Sequence, residues 1–397
     1  MSMTFKIRAI LIGLVGFLCC GALPTHAAGH SNDATLVYVG TFTGTPAKSK
    51  GIYLFRLEPG KNGSPILTPL GVAAETPSPT FLALDAKRHL LFCVNEMNSF
   101  AGKKTGAVSA FSIDPATGQL KFINQRSSMG PGPCHLVLDH TGKYVLVANY
   151  AGGSVAVLPV AADGALGEAT CFIQHAGKGP NPTRQEGPHA HCAAFSPDNR
   201  FAFVCDLGLD KVMIYKFDAG TGKLTPDDPP FASLAPGSGP RHILFHPNGK
   251  FAYVITELAS TITTFAYDAN NGALKELQTL STLPADFHGK NTAAEIAIAP
   301  SGKFLFASNR GNDTIASFAI DPKTGTLRWL GAQSTEGKTP RHFAIDTSGR
   351  ELLIENQDSN SLVLKHIDAV AGKLTSIGSP IPAPAPVCAV FLPMKAK

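Results

Sequence analysis

One short apolar run returns seven times along this chain, about every 50 residues. It reads LVYVG (Leu36–Gly40), LLFCVNE (Leu90–Glu96), YVLVANY (Tyr144–Tyr150), FAFVCDL (Phe201–Leu207), FAYVITE (Phe251–Glu257), FLFASNR (Phe304–Arg310) and ELLIENQ (Glu351–Gln357). A unit of this size cannot bury its own apolar face, so the copies must pack against one another. Strand-rich units of this period close into rings, and seven is within the usual range for a β-propeller. The expectation is an all-β, seven-bladed β-propeller whose chemistry gathers where the blades meet.

The fifth copy gives the blade in full. An apolar strand, Ile243–Phe245, runs into the turn Pro247-Asn248-Gly249. The strands Phe251–Thr256, Ile262–Tyr267 and Leu274–Leu280 come next, the last two separated by Asp268-Ala269-Asn270-Asn271-Gly272. This is a four-stranded antiparallel meander with turn residues between its strands. The later turn returns as Asp114–Gly118, Asp218–Gly222, Asp321–Gly325 and Asp368–Gly372. Its glycine supplies positive φ and its aspartate can bond the nearby backbone. At the ends, Pro386–Phe391 reads as a first strand without a second, and Leu36–Gly40 as a second strand without a first. Pairing the two completes one blade and leaves no blade open.

The first 27 residues read as a signal peptide. Lys6 and Arg8 are the basic region, Ala9 to Leu23 the apolar one, and Thr25-His26-Ala27 a small-residue cleavage site. An uncleaved anchor is the alternative, although the apolar stretch is short for a membrane span. The propeller is then expected over 28–397, exported to the periplasm or secreted. Without Lys6 and Arg8, 32 basic residues face 29 acidic ones, a net +3. That balance does not suggest nucleic acid. Six cysteines remain, with no CxxC pair. Cys192 and Cys205 flank the turn Pro197-Asp198-Asn199 symmetrically and could face each other as a disulfide, or as two buried thiols.

The first two strands of a blade are antiparallel, so the start of one and the end of the other share one mouth of the channel. At the first place the chain reads Pro133-Cys134-His135, Pro188-His189-Ala190-His191, Pro240-Arg241-His242, Ala294-Glu295 and Pro340-Arg341-His342. At the second it reads Asn95-Glu96, Asn149-Tyr150, Asp206-Leu207, Thr256-Glu257, Asn309-Arg310 and Asn356-Gln357. The recurring Asn or Asp suits a turn cap. The residue after it varies, as an asymmetric pocket would require. This mouth gathers His135, His189, His191, His242, His342, Arg241, Arg310, Arg341, Glu96, Glu257 and Glu295. Arginines among carboxylates and imidazoles suit a small anionic or oxygen-rich ligand; a solvated rim of charge pairs is the plainer reading. His189 and His191 alternate as half a metal site would, but spacing points to no third ligand. No GxSxG elbow, P-loop or dinucleotide fingerprint occurs.

GPHAH (Gly187–His191), GPRH (Gly239–His242), YVITE (Tyr253–Glu257), AEIAIAPSGKFLFASNRG (Ala294–Gly311) and PRHFAID (Pro340–Asp346), in this order and spacing, resemble the seven-bladed lactonase family. That family includes the propeller type of 6-phosphogluconolactonase and the fungal carboxymuconate cycloisomerase. The resemblance implies a cleft with His189 or His191, Arg241, Glu257 and Arg310, and no metal or other cofactor. Read with it, the residues predict hydrolysis of a sugar lactone to the aldonic acid. Glu257 or His189/His191 is the expected base, assisted by Arg241, with Arg310, His242, Arg341, Glu295, His135 and Tyr150 around the substrate. Alternatives are a lactonising cycloisomerase and a non-catalytic exported binding propeller. The cytosolic lactonases carry no signal peptide, so the substrate here is expected to be a non-phosphorylated lactone or another small ester. The expected state is a monomer with a small-molecule lactone as its partner, no nucleic acid, and no membrane span once the signal segment is cleaved.

Overall fold

The computed structural model describes Met1 and residues 34–44, 48–60 and 62–394. The chain separates into two units, Met1–Asn32 and Asp33–Lys397. Residues 2–27 of the expected signal segment lie outside the described residues. Among the described residues no helix is long and apolar enough to cross a membrane.

The second unit holds seven four-stranded antiparallel sheets. They are numbered here as blades in chain order. Blade 5 runs Pro240–Phe245, Phe251–Thr256, Thr261–Tyr267 and Leu274–Ser281, within a few residues of the sequence reading. Blade 1 closes the ring as expected. The C-terminal strand Pro386–Pro393 lies inside Thr35–Thr41, which continues into Gly51–Pro59 and Pro65–Glu75. Both ends of the propeller are thus bonded into one sheet, and no inner edge is left open.

Each gap between neighbouring blades is filled by an apolar cluster. Leu146, Val155 and Val157 of blade 3, for example, meet Ala193, Val204 and Tyr215 of blade 4. Tyrosines also tie blade to blade. Tyr253 Oη donates to Gly325 O at 2.8 Å, and Tyr38 Oη to Gly118 O at 2.8 Å. Both glycines have positive φ, so this turn needs the residue type the repeat supplies. The recurring Asn has a scaffold role too. The side-chain amides of Asn95, Asn149, Asn309 and Asn356 donate to Pro77, Ser128, Thr282 and Thr335 carbonyls, fastening each second strand to the incoming crossover.

Two features of the inner strands position the site. The first is a β-bulge near the start of six of them, shown by the register shifts at Pro133/His135, Ala190/Cys192, Pro240/His242, Ala293/Ile296, Pro340/His342 and Pro386/Cys388. A bulge inserts one residue and re-aims its side chain. The second feature is a plug, built by one residue near the start of each inner strand. Phe81, His135, Cys192, His242, Glu295, His342 and Cys388 come one from each blade and meet across the channel. His135 lies 4.1 Å from Phe81 between ring centres, and its Nε2 is 3.5 Å from Cys192 Sγ. His242 Nδ1 is 3.1 Å from Glu295, Glu295 is 3.6 Å from His342 Nε2, and His342 Nε2 is 3.9 Å from Cys388 Sγ. The channel is therefore closed at this level, and its two mouths are separate. Two residues further along, the inner strands present only Ala83, Val137, Ala194, Leu244, Ala297, Ala344 and Val390 to the far side.

Cys192 and Cys205 do face each other in register, but both thiols are free, as are the other four described cysteines. Of the two readings, the buried thiols hold.

Candidate active site

At the mouth carrying the bulges lies a cavity of about 280 Å³ lined by Glu96, Cys134, Tyr150, Arg184, His191, Glu257, Thr292, Arg310 and Arg341. Most of its wall comes from two sources. The bulged residues of blades 3, 4 and 7 supply Cys134, His191 and Arg341. The varying position after the second strand supplies Glu96, Tyr150, Glu257 and Arg310.

Glu257 is the electrostatic centre. Its Oε1 is 2.5 Å from Arg184 Nη2, and its Oε2 is 2.9 Å from Arg310 Nη2 and 3.2 Å from Arg241 Nε. Burial alone would raise this carboxyl, but Arg310, Arg241 and Arg184 outweigh it and hold it down at about 2. Glu257 is ionised at any physiological pH, with both oxygens engaged by guanidinium groups. That arrangement suits a clamp better than a base. Arg241, also expected beside the substrate, is 3 % exposed and does not line the cavity. It lies behind Glu257, with Nη1 donating to Ala294 O at 2.7 Å.

His191 is 4 % exposed and lines the cavity, and its Nδ1 has no hydrogen-bond partner. Burial, and then the charge of Arg241, push its pKa well below 6.5, so the ring is neutral. His189 is different. It stacks on Tyr150, with Nδ1 3.0 Å from Tyr150 O and Nε2 3.3 Å from Glu186, and is absent from the cavity wall. The pair does not converge as a metal site would, because the bulge at His191 breaks the strand alternation.

Arg310 donates to Ala293 O at 3.1 Å but leaves Nε without a partner. Arg341 stacks on Phe42 at 5.4 Å and, among the described residues, has no carboxylate within ion-pair reach. The wall is thus richer in cations than in anions. His135, His242 and Glu295, expected around the substrate, sit in the plug beneath the cavity instead, as does His342. The bulge divides neighbours in sequence: Arg341 faces up and His342 faces into the channel.

Arg184 is not visible in the repeat pattern. It belongs to the crossover from blade 3 to blade 4, a segment with no counterpart in the other copies. Gln185 pins that segment, its buried amide donating to Leu207 O at 2.8 Å and Asp210 Oδ1 at 2.7 Å. Arg184 is thereby placed across the mouth, bonded to Tyr150 Oη at 3.2 Å and to Glu257.

His135, Cys192 and His242 offer donor atoms within 4.8 Å of one another. They do not suit a cation. His242 Nε2 faces Arg241 Nη1 at 3.3 Å, and burial pushes the Cys192 thiol up to about 12. A metal would have to lie beside a guanidinium and deprotonate that thiol.

A seven-bladed propeller with an arginine-rich cup at one mouth and a neutral histidine in its wall defines a class of small-molecule enzymes rather than a scaffold. The chain belongs to the seven-bladed β-propeller lactonase family, whose sequence model matches residues 36–391. It is 38% identical over 355 residues to a 6-phosphogluconolactonase of Bacillus subtilis, covering 89% of this chain and 97% of that one. A 6-phosphogluconolactonase of Formosa agariphila is 33% identical over 350 residues, 86% of this chain and 95% of the other. Among solved structures, the periplasmic gluconolactonase of Pseudomonas aeruginosa superposes with a TM-score of 0.83 at 35% identity, covering 91% of this chain and all of that one. The protein is accordingly a lactone-hydrolysing enzyme.

Proposed function

We propose that this enzyme opens a single-ring sugar lactone to its aldonic acid, with His191 as general base and Arg310 and Arg341 as the oxyanion site. The observation that carries this reading is the uncommitted polar surface of one small cup. His191 Nδ1 and Arg310 Nε lack partners, and Arg341 lacks a counter-ion among the described residues. Buried polar groups are normally satisfied, so orphans at a cavity wall point to a ligand. The volume of about 280 Å³ is below the ~300–1,000 Å³ usual for drug-sized ligands and suits one sugar ring.

In the proposed reaction a water attacks the lactone carbonyl while neutral His191 takes its proton. Negative charge develops on the carbonyl oxygen, where Arg310 and Arg341 stabilise it. The protonated imidazole then gives its proton to the ring oxygen as the C–O bond breaks. Glu257 stays ionised throughout and keeps Arg310 and Arg241 in place.

Residues 1–27 are proposed as an export signal, a reading supported by the similarity to a periplasmic gluconolactonase. N-terminal sequencing of the protein recovered from the periplasmic fraction should begin at Ala28. The activity test is proton release from glucono-δ-lactone and its 6-phosphate in weak buffer, less the spontaneous rate. Enzyme-proportional hydrolysis of either supports the reading. No rate above background on both, from folded protein, removes it.

Arg184 makes the choice between these two lactones testable. Its side chain is 37% exposed at the mouth and can exchange Glu257 for a substrate anion. A charge-assisted hydrogen bond contributes roughly 1.5–3 kcal/mol. Arg184→Gln is therefore expected to lower kcat/KM for the 6-phosphate by about 10- to 100-fold, and for the neutral lactone much less. An equal loss on both would show that Arg184 does not read the anion.

A further inference from the structure

The plug beneath the cavity contains titratable groups that the hydrolysis does not use, and they are joined in a line. Glu355 Oε2 is 2.7 Å from His342 Nδ1. His342 Nε2 is 3.6 Å from Glu295 Oε2, and Glu295 Oε1 is 3.1 Å from His242 Nδ1. His242 Nε2 is 3.3 Å from Arg241 Nη1, and Arg241 Nε is 3.2 Å from Glu257 Oε2. All six residues are buried.

The donors and acceptors in this line are not free to choose. A guanidinium only donates, so His242 Nε2 must accept from Arg241. A neutral imidazole has one N–H, so it must be on Nδ1, pointing at Glu295. Burial, with the charge of Arg241, keeps His242 neutral. Glu295 also accepts from the Ile296 backbone N–H at 3.0 Å. At the far end, burial raises the Glu355 carboxyl well above its usual range, which favours the protonated form that donates to His342 Nδ1. That leaves the His342 N–H on Nε2, again toward Glu295. Glu295 thus holds the His242 N–H by a hydrogen bond, and the His342 N–H faces the same carboxylate from 3.6 Å.

We propose that Glu295 is a positioning residue for the active site: it fixes His242 in the Nδ1–H tautomer, His242 seats Arg241, and Arg241 seats Glu257 and the arginines that Glu257 clamps. This rests on the hydrolytic reading only for its effect on rate. Loss of the acceptor leaves the His242 Nδ1–H buried without a partner, so the ring must turn away or move its proton to Nε2, and either change breaks its bond to Arg241. Arg241 then shifts, and the clamp above it loosens. A misplacement of about 1 Å in such a constellation costs on the order of 100-fold in rate.

Two variants and one spectrum test this in the full chain, with a second pair of variants in reserve. Glu295→Met removes the acceptor and is expected to lower kcat by about 10- to 100-fold, with KM within about threefold. Glu295→Gln keeps an acceptor oxygen and is expected to restore most of kcat. A residue that only filled space would give the opposite order, because Met and Gln have similar size and Met suits burial better. Should Glu295→Met not fold, Glu295→Ala with a cavity-matched control, His242→Ala, separates packing from positioning: equal losses of kcat and an unchanged double variant mark a shared pathway, and additive losses overturn it. The spectrum needs no substrate. Imidazole ¹⁵N shifts should report His242 as Nδ1–H in the unmutated protein and in Glu295→Gln. An Nε2–H tautomer there, or an unaltered kcat in Glu295→Met, overturns the proposal. Failure of the protein to hydrolyse any lactone, with the Nδ1–H tautomer present, removes the hydrolytic reading and leaves the positioning chain standing.

Discussion

His191→Asn is expected to lower kcat by about 10²–10⁴-fold, the usual contribution of a positioned general base, while the protein keeps its fold. The fold should survive because His191 Nδ1 bonds to nothing that the substitution would orphan. The contact from Cys134 Sγ goes to the backbone carbonyl of His191 and is indifferent to the side chain. The pH profile provides a second check. The base form of His191 is the neutral ring, and burial with Arg241 holds its pKa well below 6.5. Lowering the pH protonates it only in that acidic range, so the rate of the unmutated enzyme should be flat through neutrality and fall well below pH 6.5. Steady-state kinetics across pH, with circular dichroism of the variant, measures both. A folded His191→Asn within threefold of the parent rate, or an acid limb at or above 6.5, would assign the base elsewhere.

The blade count, the strand limits and the ring closure are legible in the sequence because each is written several times. Apolar alternation and the Asp…Gly turn recur in nearly every copy, so any one ambiguous copy is corrected by the others. The site is the part that does not repeat, and there the sequence is only partly legible. It marks the two places in each blade that face the mouth, and so His191, Tyr150, Glu257, Arg310 and Arg341. It leaves Arg241-His242 and Arg341-His342 as pairs sharing one environment, because nothing in the sequence marks a bulge. One inserted residue turns the arginine of each pair toward the cup or the clamp behind it, and drops the histidine into the plug. The plug also takes in Phe81, Cys192 and Cys388, though their residue types suggest plain core. Arg184 lies beyond reach for another reason. It is fixed by Gln185 bonding to the next blade, a contact between segments that no periodicity predicts.

Glu257→Gln is expected to damage stability as well as turnover. Neutralising this carboxylate leaves the buried Arg241, which is 3 % exposed, and the part-buried Arg310 without their shared counter-ion. Breaking a buried pair from one side typically costs about 3–5 kcal/mol. Arg310 would also lose the partner that aims it, and a lost electrostatic group of this kind lowers turnover by about 10²–10³. The dependence on pH identifies the cause. Glu257 titrates at about 2 in the folded protein against an ordinary 4.5. Its pKa is depressed, so the stabilisation it gives is complete above about pH 4.5 and is lost as the pH falls from there toward 2. The gap in unfolding free energy between the parent and Glu257→Gln should therefore be constant near neutrality and shrink through that window. Urea unfolding at a series of pH values measures it. A gap that does not vary with pH would mean that the glutamine disturbs packing rather than charge, and the clamp would then have to be sought in Glu96, the other carboxylate of the cup.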